Sequence, residues 1–224
     1  MATIGNGDNE YLSDLDKIKT AGNRLLALVD DILDLSRVES GKVDPLIEEV
    51  SVSGLVGEEV QVCRPSIDEH GNDLQVFCPD NIGSIKADEN MLRQALCNLL
   101  SNSSKFTKNG SISLSVSRYY KIDGEWIDIS VSDTGIGIEP EVIKNLFQPF
   151  SQANSSIIHT YGGTGLGLVI TKRFCALMGG DVQVTSQLGE GSTFIISLPV
   201  QGTGIELPKQ AEEGFTMDMS VSKS

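Results

Sequence analysis

Hydrophobic and polar positions divide the chain into a long helical segment, a region of mixed pattern and a polar tail. Between residues 10 and 42, apolar side chains recur at alternating intervals of four and three, which is heptad spacing. The pattern predicts one long, coiled-coil-like helix that ends near Gly41, before Pro45. A helix with so many apolar side chains must bury them against another surface. That surface would be either a partner helix in a bundle or dimer, or the domain that follows in the same chain.

Residues 48–200 combine strand and helix patterns and are predicted to form a second domain. Period-two alternation and a turn signal at Asp123-Gly124 indicate hairpins, while periods of three and four indicate helices. The predicted strands cover 74–78, 82–86, 111–122, 126–132, 182–186 and 192–198, and the predicted helices cover 88–104, 140–147 and 165–178. These elements predict an α+β fold, a two-layer α/β sandwich of helices on a mixed sheet. Residues 1–9 and 201–224 are polar and are expected to be a linker and a tail.

Composition and charge narrow the class of protein. The chain of 224 residues is 39% hydrophobic and 21% charged, as globular domains are, and 31 acidic against 17 basic residues give a net charge of −14. Nucleic-acid binders and proteins that bind anionic membranes carry basic surfaces, so neither class is expected. No apolar run approaches the ~20 residues that span a bilayer, and the first residues lack a signal-peptide core. We expect a soluble, cytoplasmic protein.

The four cysteines are far apart in sequence and form no CxxC pair. They are Cys63, Cys78, Cys97 and Cys175. Zinc sites usually use clustered ligands, so this spacing argues against one. Reduced, mostly buried thiols are the expectation, in keeping with a cytoplasmic location.

The first polar motif lies on the predicted helix 88–104. Asn98 and Asn102 are four residues apart and therefore share a helix face. Amide oxygens are suitable ligands for Mg²⁺, and Lys105, just beyond, could reach a phosphate. An ordinary solvated helix face would give the same pattern.

Two glycine-containing motifs follow further along the chain. Residues 133–138 (DTGIGI) come directly after a strand, where Asp133 could accept from an exocyclic amine and the glycines would let a flat ligand approach. Residues 161–168 (YGGTGLGL) open a helix, whose unpaired N–H groups make an anion site. This second motif matches neither the dinucleotide-binding fingerprint nor a Walker loop. A glycine turn and a flexible hinge are the alternatives for the two motifs.

The motifs together resemble the ATP-binding domain of two-component histidine kinases, which belongs to the GHKL group. Residues 98–107, 133–138, 146–152 and 161–168 are similar to its N, G1, F and G2 boxes, and 189–194 to its closing strand. Residues 31–42 resemble the end of the second helix of that family's dimerisation and phosphoacceptor hairpin. The resemblance implies a Bergerat-type ATP-binding fold at 48–200, preceded at 10–42 by part of that hairpin. It also implies ATP and Mg²⁺ as cofactors.

The resemblance implies a role for each matching residue. Asn102 would ligate Mg²⁺, Asn98 would support it and the phosphates, and Lys105 would contact phosphate. Asp133 would accept from the adenine amine, with room for the ring at Gly135 and Gly137. The other nucleotide-binding positions implied are Phe106, Gly163, Thr164, Gly165, Leu166, Gly167 and, through water, Thr193. Phe147 and Phe150 would pack beside a mobile ATP lid at roughly 148–164.

Two features of the sequence bear on the reaction. ATPases of this group that use water carry a glutamate base four positions before the magnesium asparagine, where this chain has Asn98, which cannot take a proton at neutral pH. The family's phosphoacceptor motif is absent, since the two histidines are His70, in a loop, and His159, where many relatives carry arginine. In addition, Ser103 stands directly after Asn102, where the family usually has alanine.

The resemblance therefore implies the catalytic core of a sensor histidine kinase, with no catalytic acceptor histidine of its own. It would pass the γ-phosphate of ATP to a histidine outside this fragment, for relay to the receiver domain of a response regulator. The implied partners are the histidine-bearing helix of the same kinase and that receiver domain. No nucleic-acid partner is implied, and the full-length form would be a homodimer. The alternatives are a non-catalytic nucleotide-binding or dimerisation module that regulates a partner, and a water-using ATPase.

Overall fold

The computed structural model describes residues 43–148 and 165–202 continuously. It also describes positions 11, 14–15, 18–19, 21–22, 25–26, 28–29, 32–33 and 35–37, all of which are helical. At these positions the predicted long helix is confirmed. Leu35 is buried in the core of the domain, whereas the apolar side chains of Leu15, Ile18 and Leu25 are exposed. The predicted linker 1–9, most of the lid and the tail beyond residue 202 lie outside the described residues.

The domain contains eleven elements within the described ranges 43–148 and 165–202. In chain order they are β1 Glu48–Ser51, α1 Val52–Glu69, β2 Asp73–Phe77, β3 Ser84–Ala87, α2 Glu89–Phe106, β4 Ser111–Lys121, β5 Gly124–Asp133, α3 Pro140–Ile143, α4 Gly167–Leu177, β6 Asp181–Gln187 and β7 Gly191–Pro199. The predicted α+β fold, with helices on a mixed sheet, is confirmed.

The main sheet has the strand order β2-β4-β5-β7-β6, and β1 and β3 form a separate antiparallel pair. β2 runs parallel to β4, while every other neighbouring pair is antiparallel. One face of the sheet is apolar and the other carries serine and threonine, as the period-two pattern predicts. The ends of β5 and β7 lie side by side, with Asp133 opposite Ser192.

Helix α2 lies at the centre of the helical layer, where it packs against α1, α4 and the sheet. Its start is fixed by Asp88, whose carboxylate accepts from the N–H of Met91 at 3.0 Å. Six apolar side chains of α2 are buried at helical spacing: Met91, Leu92, Ala95, Leu96, Leu99 and Leu100. Their burial determines which remaining residues of α2 reach the edges of the layer.

Helix α1 and strand β1 were not predicted from the sequence. The buried positions of α1 have helical spacing, but Gly54, Gly57 and Pro65 lie among them and are poor helix formers. The helix persists because its buried side chains pack against α2 and because Ser51 caps its first turn, accepting from the Gly54 N–H at 3.4 Å.

Two further predictions need correction. The two-residue hairpin loop consists of Ile122 and Asp123, because Lys121 pairs with Gly124; the predicted turn at Asp123-Gly124 was one residue late. The predicted helix 140–147 is helical only over Pro140–Ile143 and continues as turns.

Within the described residues, no helix is long and apolar enough to cross a bilayer.

Ile129→Ala should test the core of the sheet. Ile129 on β5 is fully buried, so truncation should lower the free energy of unfolding by about 2–5 kcal/mol, through lost burial and a cavity. The matched control, Ile122→Ala, alters a fully exposed isoleucine and should change that free energy by less than ~0.5 kcal/mol. Urea unfolding measures both, and equal effects would contradict the assigned core.

Candidate functional site

The asparagine-bearing edge of α2 faces the start of α4. The Asn98 amide donates from Nδ2 to the Gly167 carbonyl oxygen at 3.1 Å and to Thr171 Oγ1 at 3.4 Å. Thr171 is fully buried and itself donates to the Gly167 carbonyl oxygen at 2.9 Å. Asn98 therefore joins α2 to the first turn of α4 through the donor end of its amide.

Asn102 lies one turn further along the same edge of α2. It is half-buried, and within the described part of the chain its side chain makes no hydrogen bond. Its amide oxygen is thus a possible ligand for a hard cation such as Mg²⁺. The structure confirms that Asn98 and Asn102 share a helix edge, as their spacing predicts.

The Asp133 carboxylate occupies the end of β5, between the end of α2 and the start of β7. Its Oδ1 accepts from the Gly135 N–H at 2.8 Å, and its Oδ2 accepts from Ser103 Oγ at 3.5 Å. Burial raises the pKa of Asp133 above its usual value, and hydrogen bonds from the backbone N–H groups of Gly135 and Ser192 and from the Thr107 and Ser103 hydroxyls oppose that shift. A half-buried carboxylate with acceptor capacity left over can recognise an N–H donor on a ligand.

The Thr107 hydroxyl is buried beside Asp133; it makes no hydrogen bond of good geometry, and its weak contact with the Asp133 carboxylate lowers the pKa of that acid. A Cβ placed on Gly135 would come within 2.7 Å of Thr107 Oγ1 and 2.9 Å of Asp133 Oδ1, so only glycine leaves this space open. A polar group of a ligand could give this hydroxyl a better hydrogen bond.

The two glycines of residues 133–138 have different surroundings. Gly135 borders the space between Thr107 and Asp133, whereas Gly137 has a φ of +67° and a Cβ there would overlap the Gln187 carbonyl group. Gly137 therefore allows this loop to pack against the β6–β7 turn. That packing, together with the hydrogen bond from the Gly189 N–H to the Ile136 carbonyl oxygen at 2.7 Å, holds the loop in place.

The predicted anion site lies at the start of α4. Gly165 has a φ of +72°, Leu166 is fully buried at the cap position, and the helix begins at Gly167 with no acidic residue in its first turn. A helix N-terminus whose cap supplies no side-chain hydrogen bond favours anions. Of the residues implied to contact phosphate, Gly163 and Thr164 lie outside the described part of the chain, as do Phe150 and His159.

The remaining predicted site residues lie on the surrounding elements. Thr193 on β7 is half-buried, and its hydroxyl is 2.9 Å from that of Ser132. At the end of α2, the Lys105 ammonium lies 4.7 Å from the centre of the Phe106 ring. Phe147 packs on the core, with the Lys172 ammonium 4.9 Å from its ring centre.

Sequence reasoning did not single out Thr107 or Thr171. Both are fully buried hydroxyl residues at the two ends of the space beside α2, one next to Asp133 and the other next to Asn98. Thr107 falls within the matched residues 98–107, so a polar residue where the helix is expected to end was an available signal. No such signal exists for Thr171, because a threonine within an apolar helix is also consistent with ordinary packing.

Comparisons with known proteins agree on one family. The family profile described as "Histidine kinase-, DNA gyrase B-, and HSP90-like ATPase" matches residues 87–202, which is 116 of the 224 residues. The chain is 41% identical over 203 residues to hybrid signal transduction histidine kinase B of Dictyostelium discoideum, covering 88% of this chain and 10% of that protein. It is 36% identical over 195 residues to the autoinducer 2 sensor kinase/phosphatase LuxQ of Vibrio parahaemolyticus, covering 86% and 23%.

Solved structures show the same likeness. The crystal structure of full-length ShkA in complex with AMPPNP aligns with a TM-score of 0.71 at 31% identity, over 92% of this chain and 42% of that one. The chain thus spans about a tenth to a quarter of the two curated relatives and less than half of this structural neighbour.

The environment of Asp133 predicts a pH dependence of stability. An acid whose folded pKa is raised favours folding below its unfolded pKa, and this contribution is lost as pH rises through the folded pKa. Asp133→Asn should therefore gain stability relative to the parent chain as pH rises from about 3.8 to neutral. Urea unfolding at several pH values measures the difference. A stability difference between Asp133→Asn and the parent chain that does not change with pH would contradict the assignment.

Proposed function

Because the chain belongs to the histidine kinase-, DNA gyrase B- and HSP90-like ATPase family, we propose that it is the ATP-binding catalytic core of a sensor histidine kinase. It binds ATP with Mg²⁺ and transfers the γ-phosphate to a histidine outside these 224 residues. The relatives named above are hybrid or sensor histidine kinases, which supports this choice within the family.

One observation supports the proposal above the others: the half-buried Asp133 carboxylate and the buried Thr107 hydroxyl lie side by side, next to the asparagine edge of α2. An adenine ring offers a partner to both groups. Its exocyclic amine donates to Asp133, and a ring nitrogen accepts from Thr107 Oγ1. Gly135 keeps the space open, and Thr193 lies on the neighbouring strand, within reach through water.

The phosphate end of the nucleotide lies between α2 and α4 in this proposal. The N–H groups at Gly165, Leu166 and Gly167 bind phosphate oxygens at the positive end of α4. Gly163 and Thr164 complete that set according to the sequence. The amide oxygen of Asn102 is free of hydrogen bonds within the described residues. In this proposal Asn102, through Mg²⁺, and Lys105 both act on the negative charge of the phosphates.

The bound Mg²⁺ would supply charge neutralisation to the phosphates, and Asn102 is the residue that would hold it. The remaining catalytic power comes from orientation, because phosphoryl transfer needs the nucleophile and the leaving oxygen in line. Asn98 orients the site by holding the first turn of α4 against α2.

Asn98 also favours transfer to histidine over hydrolysis. A general base must accept a proton from water, and a neutral amide does not do so near pH 7. The Asn98 amide is moreover oriented as a donor toward the Gly167 carbonyl oxygen, where a carboxylate would be repelled. Water therefore has no base at this position, whereas an imidazole from the acceptor helix is itself the nucleophile.

The proposed partners follow from this reaction. They are the acceptor histidine helix of the same kinase and the receiver domain of a response regulator, which takes the phosphoryl group from that histidine. We further propose a homodimer in the full-length protein and a cytoplasmic location for this domain.

Asp133→Asn should weaken ATP binding roughly 10- to 100-fold. A hydrogen bond to a charged group is worth about 1.5–3 kcal/mol, and ~1.4 kcal/mol corresponds to a tenfold change in affinity.

Asn102→Ala should abolish the dependence of ATP affinity on Mg²⁺. The matched control is Asn90→Ala, an exposed asparagine at the other end of α2. Calorimetry measures all four proteins. Absence of ATP uptake by the parent chain, with or without Mg²⁺, would refute the proposed function.

Transfer and hydrolysis are separated by an assay with ATP labelled in its γ-phosphate. The chain alone should release almost no phosphate, because Asn98 is not a base, and addition of a histidine-bearing acceptor hairpin should move the label onto that histidine. Steady phosphate release by the chain alone would identify a water-using ATPase. Tight binding with no transfer would instead favour a non-catalytic regulatory module.

A further inference from the structure

A cluster of two thiols and one carboxylate lies between α1 and α2, outside the proposed nucleotide site. The Sγ atoms of Cys63 and Cys97 and a carboxylate oxygen of Glu59 all lie within 4.8 Å of one another. Among the described residues it is the one group of three acidic, cysteine or histidine side chains close enough to hold a metal ion.

Helix packing brings these residues together although they are distant in sequence. Glu59 and Cys63 are four residues apart on α1, and Arg93 and Cys97 are four residues apart on α2. Each pair therefore lies on one helix face, and the two faces meet where α1 packs against α2. The wide cysteine spacing that argued against a metal site in the sequence says nothing about this contact.

Glu59 is held in place by Arg93. The Glu59 side chain is buried and accepts from Arg93 Nη1 at 2.9 Å through Oε1. A carboxylate held through one oxygen can bind a cation through the other, and ligating carboxylates are commonly oriented by such hydrogen bonds.

The charge around the cluster is negative. Arg93 also binds the carboxylates of Glu58 at 2.8 Å and Glu89 at 2.6 Å, so three carboxylates surround one guanidinium. These four groups carry two excess negative charges beside the thiols. That excess favours a bound cation and disfavours a pair of free thiolates.

The two thiols interact directly. The thiol of buried Cys63 hydrogen bonds to half-buried Cys97; this contact raises the pKa of Cys63 and lowers that of Cys97, while burial raises both. The partial exposure of Cys97 and Arg93 provides an entry path for an ion.

We propose that Glu59, Cys63 and Cys97 form a binding site for a thiophilic divalent cation, Zn²⁺ in the cell, with water as the fourth ligand. Two sulfurs and one oxygen suit Zn²⁺, which takes four ligands, and do not suit Mg²⁺, which prefers oxygens. A tetrahedral zinc site holds its sulfurs about 3.8 Å apart, so the observed cluster needs only small side-chain movements. Binding releases the thiol protons to solvent.

The bound ion would connect α1 to α2 directly beside Asn98, the residue that follows Cys97. The site is thus built to stiffen the helix that carries the asparagine edge. Its existence does not depend on the proposed kinase function, because its residues are separate from the nucleotide-binding set.

The test uses the reduced, chelator-treated 224-residue chain without nucleotide. Co²⁺ and Cd²⁺ serve as spectroscopic probes, and Zn²⁺ is added in competition. We expect one equivalent bound, a thiolate-to-metal charge-transfer band, displacement of the probe by Zn²⁺ and a rise in melting temperature. Cys97→Ala and Cys63→Ala should lose the band. Glu59→Gln should bind at least roughly tenfold more weakly, which is the smallest loss usual even for an outer-shell partner.

The matched control is Cys78→Ser, which removes a half-buried free thiol outside the cluster and should leave uptake and the band unchanged. Circular dichroism checks that each variant folds. If Cys63→Ala does not fold, Cys97→Ala and Glu59→Gln decide the result, because Cys97 is less buried.

Three results would overturn the proposed metal site: no uptake of any of the three ions, a band that persists in Cys97→Ala, or a band that is lost in Cys78→Ser. A disulfide between Cys63 and Cys97 after treatment with peroxide, in a chain that takes up no ion, would identify a redox pair instead. ATP binding is measured separately, so failure of the metal site leaves the proposed function standing and failure of ATP binding leaves the metal site standing.

Discussion

Burial of the apolar face of α2 is the constraint on which the rest of the domain depends. The helix packs against α1 on one side, α4 on the other and the sheet beneath, and six of its apolar side chains are fully or almost fully buried. Each buried leucine contributes about 1.5–3 kcal/mol of transfer free energy, so rotation of α2 about its axis would expose several at once. The helix is consequently held in one orientation, which sets the direction of every other side chain on it.

The two edges of α2 have different chemistry because of that orientation. Asn98 contacts α4, and Asn102 lies one turn further along the same edge, where amide oxygens and helix N–H groups suit a hydrated cation and phosphates. Arg93 and Cys97 face α1, where sulfur and carboxylate suit a softer ion. Cys97 and Asn98 are neighbours in the chain, yet an α-helix turns about 100° per residue, so they serve different surfaces.

Local signals explain which parts of the fold were predictable. The hairpin from β4 to β5 alternates strictly and needed no tertiary context, although its turn is one residue earlier than Asp123-Gly124 suggested. Helix α1 was missed because Gly54, Gly57 and Pro65 weaken its propensity, and only packing against α2 compensates for them. Likewise, the spacing of Asn98 and Asn102 indicated a shared edge, whereas nothing local indicated that Thr171 would contact Asn98.

The sequence by itself determined the family resemblance, the shared edge of Asn98 and Asn102 and the glycines around Asp133, because these are properties of short segments with fixed local geometry. Tertiary structure decided which segments meet. It placed Thr107 beside Asp133, brought Cys63 to Cys97 and gave Gly137 a packing role against Gln187. These contacts arise between distant parts of the chain when apolar faces are buried together. The residue pattern within one segment does not predict them.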